Sequence, residues 1–497
     1  MRVRVDWRVS VSLVGTILKW LWVPLTGPLV LAVIDGTSLA PFGITMAATV
    51  VVGLGLESLT DVRDLRGREA FLMVALTWIA VAAVGAVPFV IAGEGTLASP
   101  TNALFEATSG ITTTGATIVV DFERHSRAIH LWRAVLQWLG GLGILVLATA
   151  VLSQLGVGGA QLMETETQTR DVNKLTPRIS ETARLLYRLY IGLTAAMVTV
   201  LVVLHWVGLA PEMTLFDAVS HAFTAVSTSG FSPRGASIAA FSPAVQWAII
   251  PFMALGATSF VLLYFVLQGD FSRLRESDEF RFYVALLAFF AATVAAVLAL
   301  DGTFQTTEAT VRHAVFQVVS ILTTTGYASA DFNLWSPAAK HVLFVSMFVG
   351  GMAGSTTCSI KALRWLVVLK AFRRDLFTAA HPSVVRPVRL SGSVVDENTI
   401  RDIYAYTLVS LVFFILATVF VVVDASRVGL AVTEFEAMSA AAATFFNVGP
   451  AFGIAGPLES YAPFPRSTKL AMVFLMWIGR IEIVPVLVLL TPSYWRT

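Results

Sequence analysis

Ten apolar segments, each about as long as a membrane-spanning helix, constrain the fold of this chain more than any other feature. A helix needs about 20 apolar residues to cross the hydrocarbon core of a bilayer. The mean hydropathy is +0.77, and 13% of the 497 residues are charged, against about a quarter in a soluble domain. The sequence therefore predicts an all-α integral membrane protein with about ten spans. The segments are residues 10–34, 39–57, 70–92, 130–154, 185–208, 243–268, 281–300, 338–372, 403–424 and 468–490.

The distribution of Lys and Arg predicts the orientation in the membrane. If the N-terminus faces the cytoplasm, 23 of the 34 basic residues lie in cytoplasmic segments, nine lie on the opposite side and two lie within spans. An excess of Lys and Arg in cytoplasmic loops is the usual pattern. Because the number of spans is even, we expect both termini in the cytoplasm, in a multi-pass protein of the cytoplasmic (inner) membrane.

Composition and motifs exclude several functional classes. The formal net charge of +2 argues against a nucleic-acid partner. The single cysteine, Cys358, excludes an internal disulfide framework and a cysteine-cluster metal site. The chain has no Walker phosphate loop and no HExxH motif. Since no acyl, phosphoryl or redox centre is visible, we do not expect an enzyme.

Four related motifs recur along the chain, each after a segment too short to cross the membrane. They are "TSGITTTGAT", "TAVSTSGFSP", "SILTTTGYAS" and "TFFNVGPAFG", with glycines at Gly115, Gly230, Gly326 and Gly449. Each unit is predicted to contain a helix, a half-length re-entrant pore helix, an extended glycine-containing strand and a second helix. We expect the four repeats to surround one pore pseudo-fourfold, after two N-terminal transmembrane helices. The predicted division is 1–58, 59–158, 159–270, 271–375 (with an intramembrane loop) and 376–497.

The motifs have the chemistry of a filter for a monovalent cation. Non-helical backbone inside a membrane must line a water-filled cavity or be buried in protein. A glycine at the same place in each repeat permits positive φ, and rings of carbonyl and hydroxyl oxygens can replace the water shell of potassium. The C-terminal ends of the short helices carry partial negative charge that favours a cation. Because Pro450 makes the fourth wall different, we expect looser selectivity than in a strictly fourfold channel.

Two further features interrupt the apolar pattern. The small-residue stretch "GGMAGSTTCSIK", residues 350–361, interrupts the eighth segment. It is either a mobile loop under the filter or a kink that packs tightly. Arg480 lies within the last span, where a charge is costly. It either extends to the membrane surface or projects into the pore as an electrostatic barrier, and Glu482, two residues away, is a poor partner on the same helix.

Four polar residues precede the motif glycines by thirteen positions each. Two interpretations compete for them: helix caps that satisfy free backbone amides, favoured because only two are acidic, or an outer vestibule that attracts cations. The four are Asn102, Asp217, His313 and Glu436.

The four motifs resemble, together with several flanking stretches, the Trk/Ktr family of potassium uptake membrane subunits, from about residue 55 onward. The two leading helices make the chain more similar to the TrkH branch. The stretches are "VLQWLGGLGILVLA" (135–148), "PRISETA" (177–183), "MFVGGMAGSTTCSIK" (347–361), "FNVGPAFG" (446–453) and "GRIE" (479–482).

The resemblance implies specific site residues. For potassium coordination these are Thr113, Thr114, Gly115, Thr228, Ser229, Gly230, Thr324, Thr325, Gly326, Asn447, Val448 and Gly449. For gating they are Gly350, Gly351, Gly354, Ser355, Thr356, Thr357, Cys358, Ser359, Lys361 and Arg480. The chain departs from the family at Thr357, Cys358 and Ser359, where a small residue and two glycines are usual, so loop flexibility should differ.

The resemblance also implies partners. It implies a homodimer in the lipid bilayer and a cytosolic, TrkA-like nucleotide-binding ring that gates the pore. Potassium is then the transported ion, no cofactor is covalently bound, and nucleotide binds only through the partner. The segment 361–401, with eight basic residues, is either the docking surface for the ring or ordinary basic sequence attracted to the inner leaflet.

Three functions remain open from the sequence. The first is gated potassium uptake down the electrochemical gradient. The second is a secondary transporter that couples potassium to Na⁺ or H⁺, for which Glu106 and His221 are the titratable candidates near the filters. The third is a non-conducting membrane protein, which would tolerate alanine at the motif glycines.

Overall fold

The computed structural model describes residues 5–60, 67–147 and 179–495, with side chains for 5–60, 67–145 and 183–495. This part of the chain is almost entirely helical. Residues 148–154 of the fourth predicted span, Pro177 and Arg178 of the "PRISETA" stretch and the predicted boundary at 158 lie outside it.

Three helices precede the repeats and pack against one another. They are α1 (Trp7–Lys19), α2 (Trp22–Asp35) and α3 (Ala40–Glu57). A Cβ on Gly53 would lie 2.5 Å from the Lys19 backbone nitrogen, so α1 and α3 cross at glycine. Lys19, a charge within the first predicted span, pairs with Glu57 at 2.5 Å and is thereby tolerated in the membrane.

Each of four units then contains a long helix, a short helix, a turn and a further helix. The first two units contain α4 (Gly67–Ala92), α5 (Pro100–Ile111), α6 (Arg127–Leu147), α7 (Ile179–Trp206), α8 (Leu215–Val226), α9 (Pro243–Gly256), α10 (Phe260–Leu267) and α11 (Ser272–Glu276). The last two contain α12 (Asp278–Leu300), α13 (Thr307–Leu322), α14 (Pro337–Ser346), α15 (Ala362–Ala380), α16 (Glu397–Arg427), α17 (Glu434–Phe445), α18 (Arg466–Ile481), α19 (Ile483–Leu490) and α20 (Pro492–Trp495). Short 3₁₀ turns cover Gly95–Ala98, Ser237–Ala240, Phe332–Leu334 and Gly453–Ala455.

In the part of the chain that the structure describes, nine of the ten predicted spans are present as helices or bent helix pairs, and the eighth, 338–372, is divided between α14 and α15 by its interrupting stretch. Within the described residues, seven helical stretches are long and apolar enough to cross a membrane, and two further helix pairs qualify only when their halves are joined. Helix α9 meets α10 at 107°, and α18 meets α19 at 111°. Segments 243–268 and 468–490 were predicted as single helices, which is wrong. At the second break Glu482 has a positive φ of 68°, which ends α18.

The four short helices are α5, α8, α13 and α17. Three contain 12 residues and α13 contains 16. At about 1.5 Å per residue, 12 residues span about 18 Å, too little to cross the hydrocarbon core.

The cap interpretation is confirmed at two of the four polar positions. Asp217 and Glu436 complete capping boxes with Thr214 and Thr433. It is wrong at the other two. Asn102 donates to the Thr96 carbonyl and accepts from Lys469, while His313 bonds the Ser329 hydroxyl. Helix α13 begins at Thr307 and is capped by Thr306, so His313 lies in its second turn, beyond the free amides, while Asn102 lies in the first turn of α5 but bonds other partners.

A small hairpin connects the third unit to the fourth. Strand β1 (Arg389–Leu390) pairs antiparallel with β2 (Ser393–Val394) between α15 and α16. The predicted boundary after residue 375 falls inside α15, while those after 58 and 270 fall between helices. The division into pore units stays a prediction.

Candidate ion filter and gate

Each short helix ends in the same backbone turn. The second residue after the helix is left-handed in all four units: Thr113 (φ 56°), Thr228 (51°), Thr324 (54°) and Asn447 (54°). The motif glycine two residues later is also left-handed, with φ between 75° and 103°. In the first unit the Thr114 amide donates to the Ser109 carbonyl at 2.9 Å, and equivalent bonds close the other three turns. This geometry is a common way to end a helix.

The four turns form a closed ring in chain order. A Cβ on Gly115 would lie 2.1 Å from the Ser229 carbonyl oxygen, and one on Gly230 would lie 1.9 Å from that of Thr325. A Cβ on Gly326 would likewise lie 2.2 Å from the Val448 carbonyl oxygen. The ring closes between the fourth and first turns, where a Cβ on Gly449 would lie 2.7 Å from the Thr114 carbonyl oxygen. All four glycines line one cavity, together with Arg234 and Tyr461.

The ring presents carbonyl oxygens without protein partners. Of the twelve predicted filter carbonyls, only those of Ser229 and Gly449 accept a hydrogen bond within the described residues, from Gln137 and Tyr461 respectively. Buried carbonyls are nearly always paired. Among the ten carbonyls that accept no hydrogen bond in this part of the chain are those of Gly115, Gly230 and Gly326, which line the cavity and are therefore available for a cation.

Hydroxyl side chains brace three walls of the ring and not the fourth. Thr112 bonds Thr114 at 2.7 Å, Ser227 bonds Ser229, and Thr323 bonds Thr325 at 2.8 Å. The fourth unit has Phe446 and Val448 at these positions. There Asn447 donates instead to the Thr114 hydroxyl at 2.7 Å and to the Met476 carbonyl at 2.9 Å. The turn of the fourth unit is thus hydrogen-bonded directly to the turn of the first unit.

A buried ion pair supports the first two walls from behind. Arg133 donates to Glu106 at 2.7 Å and to the Ser232 carbonyl at 3.0 Å. Glu106 also accepts from the Ile118 amide at 2.7 Å and from the Thr117 hydroxyl. Glu106 is fully buried and Arg133 is 1% exposed. The pair therefore positions both strands beyond the filter glycines.

His221 supports the second wall in a different way. Its Nδ1 lies 2.7 Å from the Asp217 carbonyl, so this nitrogen donates, and Nε2 accepts from the Ser232 hydroxyl at 3.0 Å. Both ring nitrogens are thus occupied within protein.

Sequence reasoning missed Arg133 and Gln137 as supporting residues. Gln137 donates to the Ser229 carbonyl at 2.8 Å and accepts from the Phe231 amide at 2.9 Å. The signal was present, since a glutamine and an arginine lie on the apolar helix α6, where polar side chains need protein partners.

The interrupting stretch forms an irregular loop between α14 and α15, against the helix-terminal side of the ring. The Thr356 hydroxyl lies 3.0 Å from that of Thr228, and the Cys358 amide donates to the Thr324 hydroxyl at 3.2 Å. The kink interpretation is wrong, because α14 ends at Ser346 and α15 begins at Ala362.

Arg480 is buried against this loop. It donates to the Thr356 carbonyl and to Cys358 Sγ, both at 2.9 Å, and to the Gly140 carbonyl at 2.9 Å. It is 1% exposed, so extension to the membrane surface is wrong. Glu482 does not pair with Arg480, as the spacing of the two residues predicted, and pairs with Arg364 at 2.6 Å instead.

The other predicted gating residues shape the loop. Gly350 and Lys361 form a backbone bridge at its ends. The Ser355 hydroxyl bonds Met352 and Thr357, at 2.6 and 2.7 Å. Ser359 is left-handed (φ 63°), a conformation that glycine adopts more readily. Gly351 and Gly354 face the break between α9 and α10.

A multi-pass helical protein whose four short helices bring equivalent turns to one axis has the architecture of a membrane transport protein. The predicted filter residues form the ring, and the predicted gating residues lie against it. Their roles in conduction and gating stay predictions.

Comparisons with known proteins identify the family. A family model described as "TrkH: Cation transport protein" matches residues 40–496. The Trk system potassium uptake protein TrkH of Halomonas elongata is 36% identical over 498 residues, covering 98% of this chain and 99% of the relative. The protein of the same name from Vibrio parahaemolyticus is 32% identical over 502 residues, covering 99% and 100%.

A solved structure agrees. The crystal structure of the potassium transporter TrkH from Vibrio parahaemolyticus matches with a TM-score of 0.88 at 30% identity, covering 99% of this chain and 100% of that one. The chain belongs to the TrkH family of cation transport proteins. The resemblance and the fold class predicted from the sequence are confirmed.

Proposed function

We propose that this protein takes up potassium through the ring of four turns, driven by the membrane potential. The observation that carries the proposal is the ring itself, with its unpaired carbonyls and a glycine facing each neighbouring wall. Relatives named as potassium uptake proteins of the Trk system, matched over nearly their full length, support it. A potential of 100 mV supplies about 2.3 kcal/mol per charge.

The test is potassium and sodium flux into proteoliposomes that contain only this protein, at a set voltage. Gly115→Ala places a methyl group against the Ser229 carbonyl and should abolish the flux or its selectivity. Gly192→Ala is the matched control, because no atom lies within 4 Å of its added Cβ. Equal selective flux in both variants would contradict the filter and favour a role that does not need these glycines.

The competing coupled transporter requires a proton or sodium site in the path. Glu106 is already held by Arg133, Thr117 and Ile118, and both nitrogens of His221 are bonded. We therefore expect flux with no pH or sodium gradient. Uptake that requires either gradient would establish coupling instead.

We further propose that the loop 350–361 and Arg480 close the path below the filter. The loop's contacts with Thr228 and Thr324 support this. A positive charge beside the path opposes a cation, so Arg480→Gln should raise potassium flux. Unchanged flux in a folded Arg480→Gln variant would remove Arg480 from the gate.

The assembly is also a proposal. We propose that the protein is a homodimer in the inner membrane with both termini in the cytoplasm. We also propose that a separate cytosolic nucleotide-binding ring docks on the segment 361–401 of this chain. Exposed Val385, 95% accessible beside Arg386, gives that segment a surface for a partner. If the wild-type protein captures the ring protein in a pull-down and the double variant Val385→Asp, Arg386→Glu does not, the result would support docking of the ring on this segment. Equal capture of the ring protein by both would contradict it.

A further inference from the structure

Two interruptions of membrane helices satisfy each other's backbone groups. One is the loop 350–361, and the other is the break between α9 and α10. The Met352 amide donates to the Ala257 carbonyl at 2.9 Å, and the Thr356 amide donates to the Gly256 carbonyl at 3.2 Å. In the opposite direction, the Phe260 amide donates to the Gly354 carbonyl at 3.1 Å. The loop thus supplies the partners that a broken helix loses.

The contact is too close for side chains. A Cβ on Gly351 would lie 2.6 Å from the Ala257 carbonyl oxygen. The loop backbone therefore lies directly on the helix break.

Thr356 adds side-chain contacts to the same place. Its hydroxyl lies 3.0 Å from the Gly256 carbonyl and 3.2 Å from that of Val226, besides its contact with Thr228. Thr356 is completely buried. It joins the loop at once to the filter turn and to the helix break of the second unit.

The loop binds two backbone groups of the helix break that would bond each other if α9 and α10 formed one straight helix. In a continuous α-helix the Phe260 amide bonds the carbonyl four residues earlier, which is that of Gly256. Here the loop binds both groups, Phe260 N through Gly354 and Gly256 O through Thr356. If the loop left while the break persisted, these two groups would lose their protein partners, whereas a continuous helix pairs them with each other.

We propose that release of the loop and joining of α9 and α10 into one helix are two halves of a single transition. Loop docked with helix broken is one state, and loop released with helix continuous is the other. This rests on the proposed function in that the loop is taken as the gate. Movement of the segment α10 to α11, Phe260–Glu276, in the second unit would then change whether the loop is docked or released.

The transition is measured by the distance between α9 and α10. Spin labels at Trp247→Cys and Leu267→Cys, both exposed, report it by double electron–electron resonance. The two positions are twenty residues apart, about 30 Å along a straight helix, and a bend of 107° brings the backbone ends closer. Cys358 is buried and should not compete for the label.

Two variants shift the equilibrium in opposite directions. Thr356→Val removes the hydroxyl and should raise the straight population and the potassium flux about two- to tenfold, since one hydrogen bond contributes about 0.5–1.5 kcal/mol. Ser259→Pro suits the bent state, where Ser259 has φ −56°, and is incompatible with a continuous helix. It should hold the short distance and suppress flux, even when combined with Thr356→Val.

Thr356→Ser keeps the hydroxyl and should behave as wild type. Thr293→Val is the matched control, because the Thr293 hydroxyl bonds the Phe289 carbonyl of its own helix α12, outside the ring and the loop. High flux from Thr356→Val with an unchanged distance, or free conduction by Ser259→Pro, would overturn the coupling. Because the distance measurement needs no transport, a protein that switches without conducting would contradict the proposed function and leave the transition standing.

Discussion

Gly230 has the least room among the filter glycines. Its added Cβ would lie 1.9 Å from the Thr325 carbonyl oxygen, against 2.7 Å for Gly449 and Thr114. We expect Gly230→Ala to abolish selective potassium flux and Gly449→Ala to retain more of it. Both are measured in proteoliposomes, with Gly192→Ala as the control. The reverse order would mean that steric contact around the ring does not decide selectivity.

The ion pair of Glu106 and Arg133 makes a second prediction. Removing one partner of a buried pair leaves the other charge uncompensated, at a cost of about 3–5 kcal/mol. We therefore expect Glu106→Gln to lower the melting temperature in detergent strongly. The double variant Glu106→Gln, Arg133→Met should recover part of the loss.

A solvent-exposed pair serves as the control for this prediction. Asp270, 40% exposed in its side chain, pairs with Arg273, 23% exposed, at 3.2 Å. Exposed pairs contribute about 0–1 kcal/mol, so Asp270→Asn should change the melting temperature little. Equal effects of Glu106→Gln and Asp270→Asn would show that burial of the first pair has no energetic consequence.

Helix α6 packs against the first filter turn through Gly140. A Cβ at this position would lie 2.0 Å from the Ile111 carbonyl and 2.9 Å from Thr113 Cγ2. We predict that Gly140→Ala separates α6 from α5 and reduces both thermal stability and potassium selectivity. Gly143→Ala, one turn further on, meets Trp78 only at 3.6 Å and should be tolerated. If Gly140→Ala and Gly143→Ala have the same melting temperature and the same potassium selectivity, close packing at Gly140 does not determine either property.

The breaks in α9–α10 and α18–α19 show what apolar periodicity omits. Both helix pairs have the length and mean hydropathy of a span when their halves are joined. Glu482 is held at a positive φ while paired with Arg364, a residue 118 positions earlier. The α9–α10 break is likewise occupied by a loop from another unit. Such partners are distant in sequence, so a local pattern does not reveal them.

Orientation in the membrane is testable on the whole molecule. We expect Val385→Cys, in the basic segment 361–401, to react with an impermeant maleimide only from the cytoplasmic side. Leu334→Cys, 82% exposed before α14, should react only from outside. Wild type is the background control because Cys358 is 5% exposed. Labelling of both positions from one side would overturn the predicted topology.

The sequence by itself determined the membrane class, the ten apolar segments and the four filter motifs. These depend on local properties, namely segment length, hydropathy and a glycine at the same place in each unit. The residues that the resemblance implies for coordination lie in the ring of four turns, and those that it implies for gating lie in the loop beside the ring or, like Arg480, contact it; their roles stay predictions. Single residues such as Asn102 and His313 were misassigned because a cap depends on which atoms happen to lie nearby.

Only the tertiary structure decided how the units meet. It placed Gly115 against Ser229 and closed the ring at Gly449 and Thr114. It brought Arg480 to Cys358 and Glu106 to Arg133. Each contact joins residues far apart in the chain, and each exists because polar groups inside a membrane must find partners within the protein. That requirement is visible in the sequence, whereas the choice of partner is made by packing.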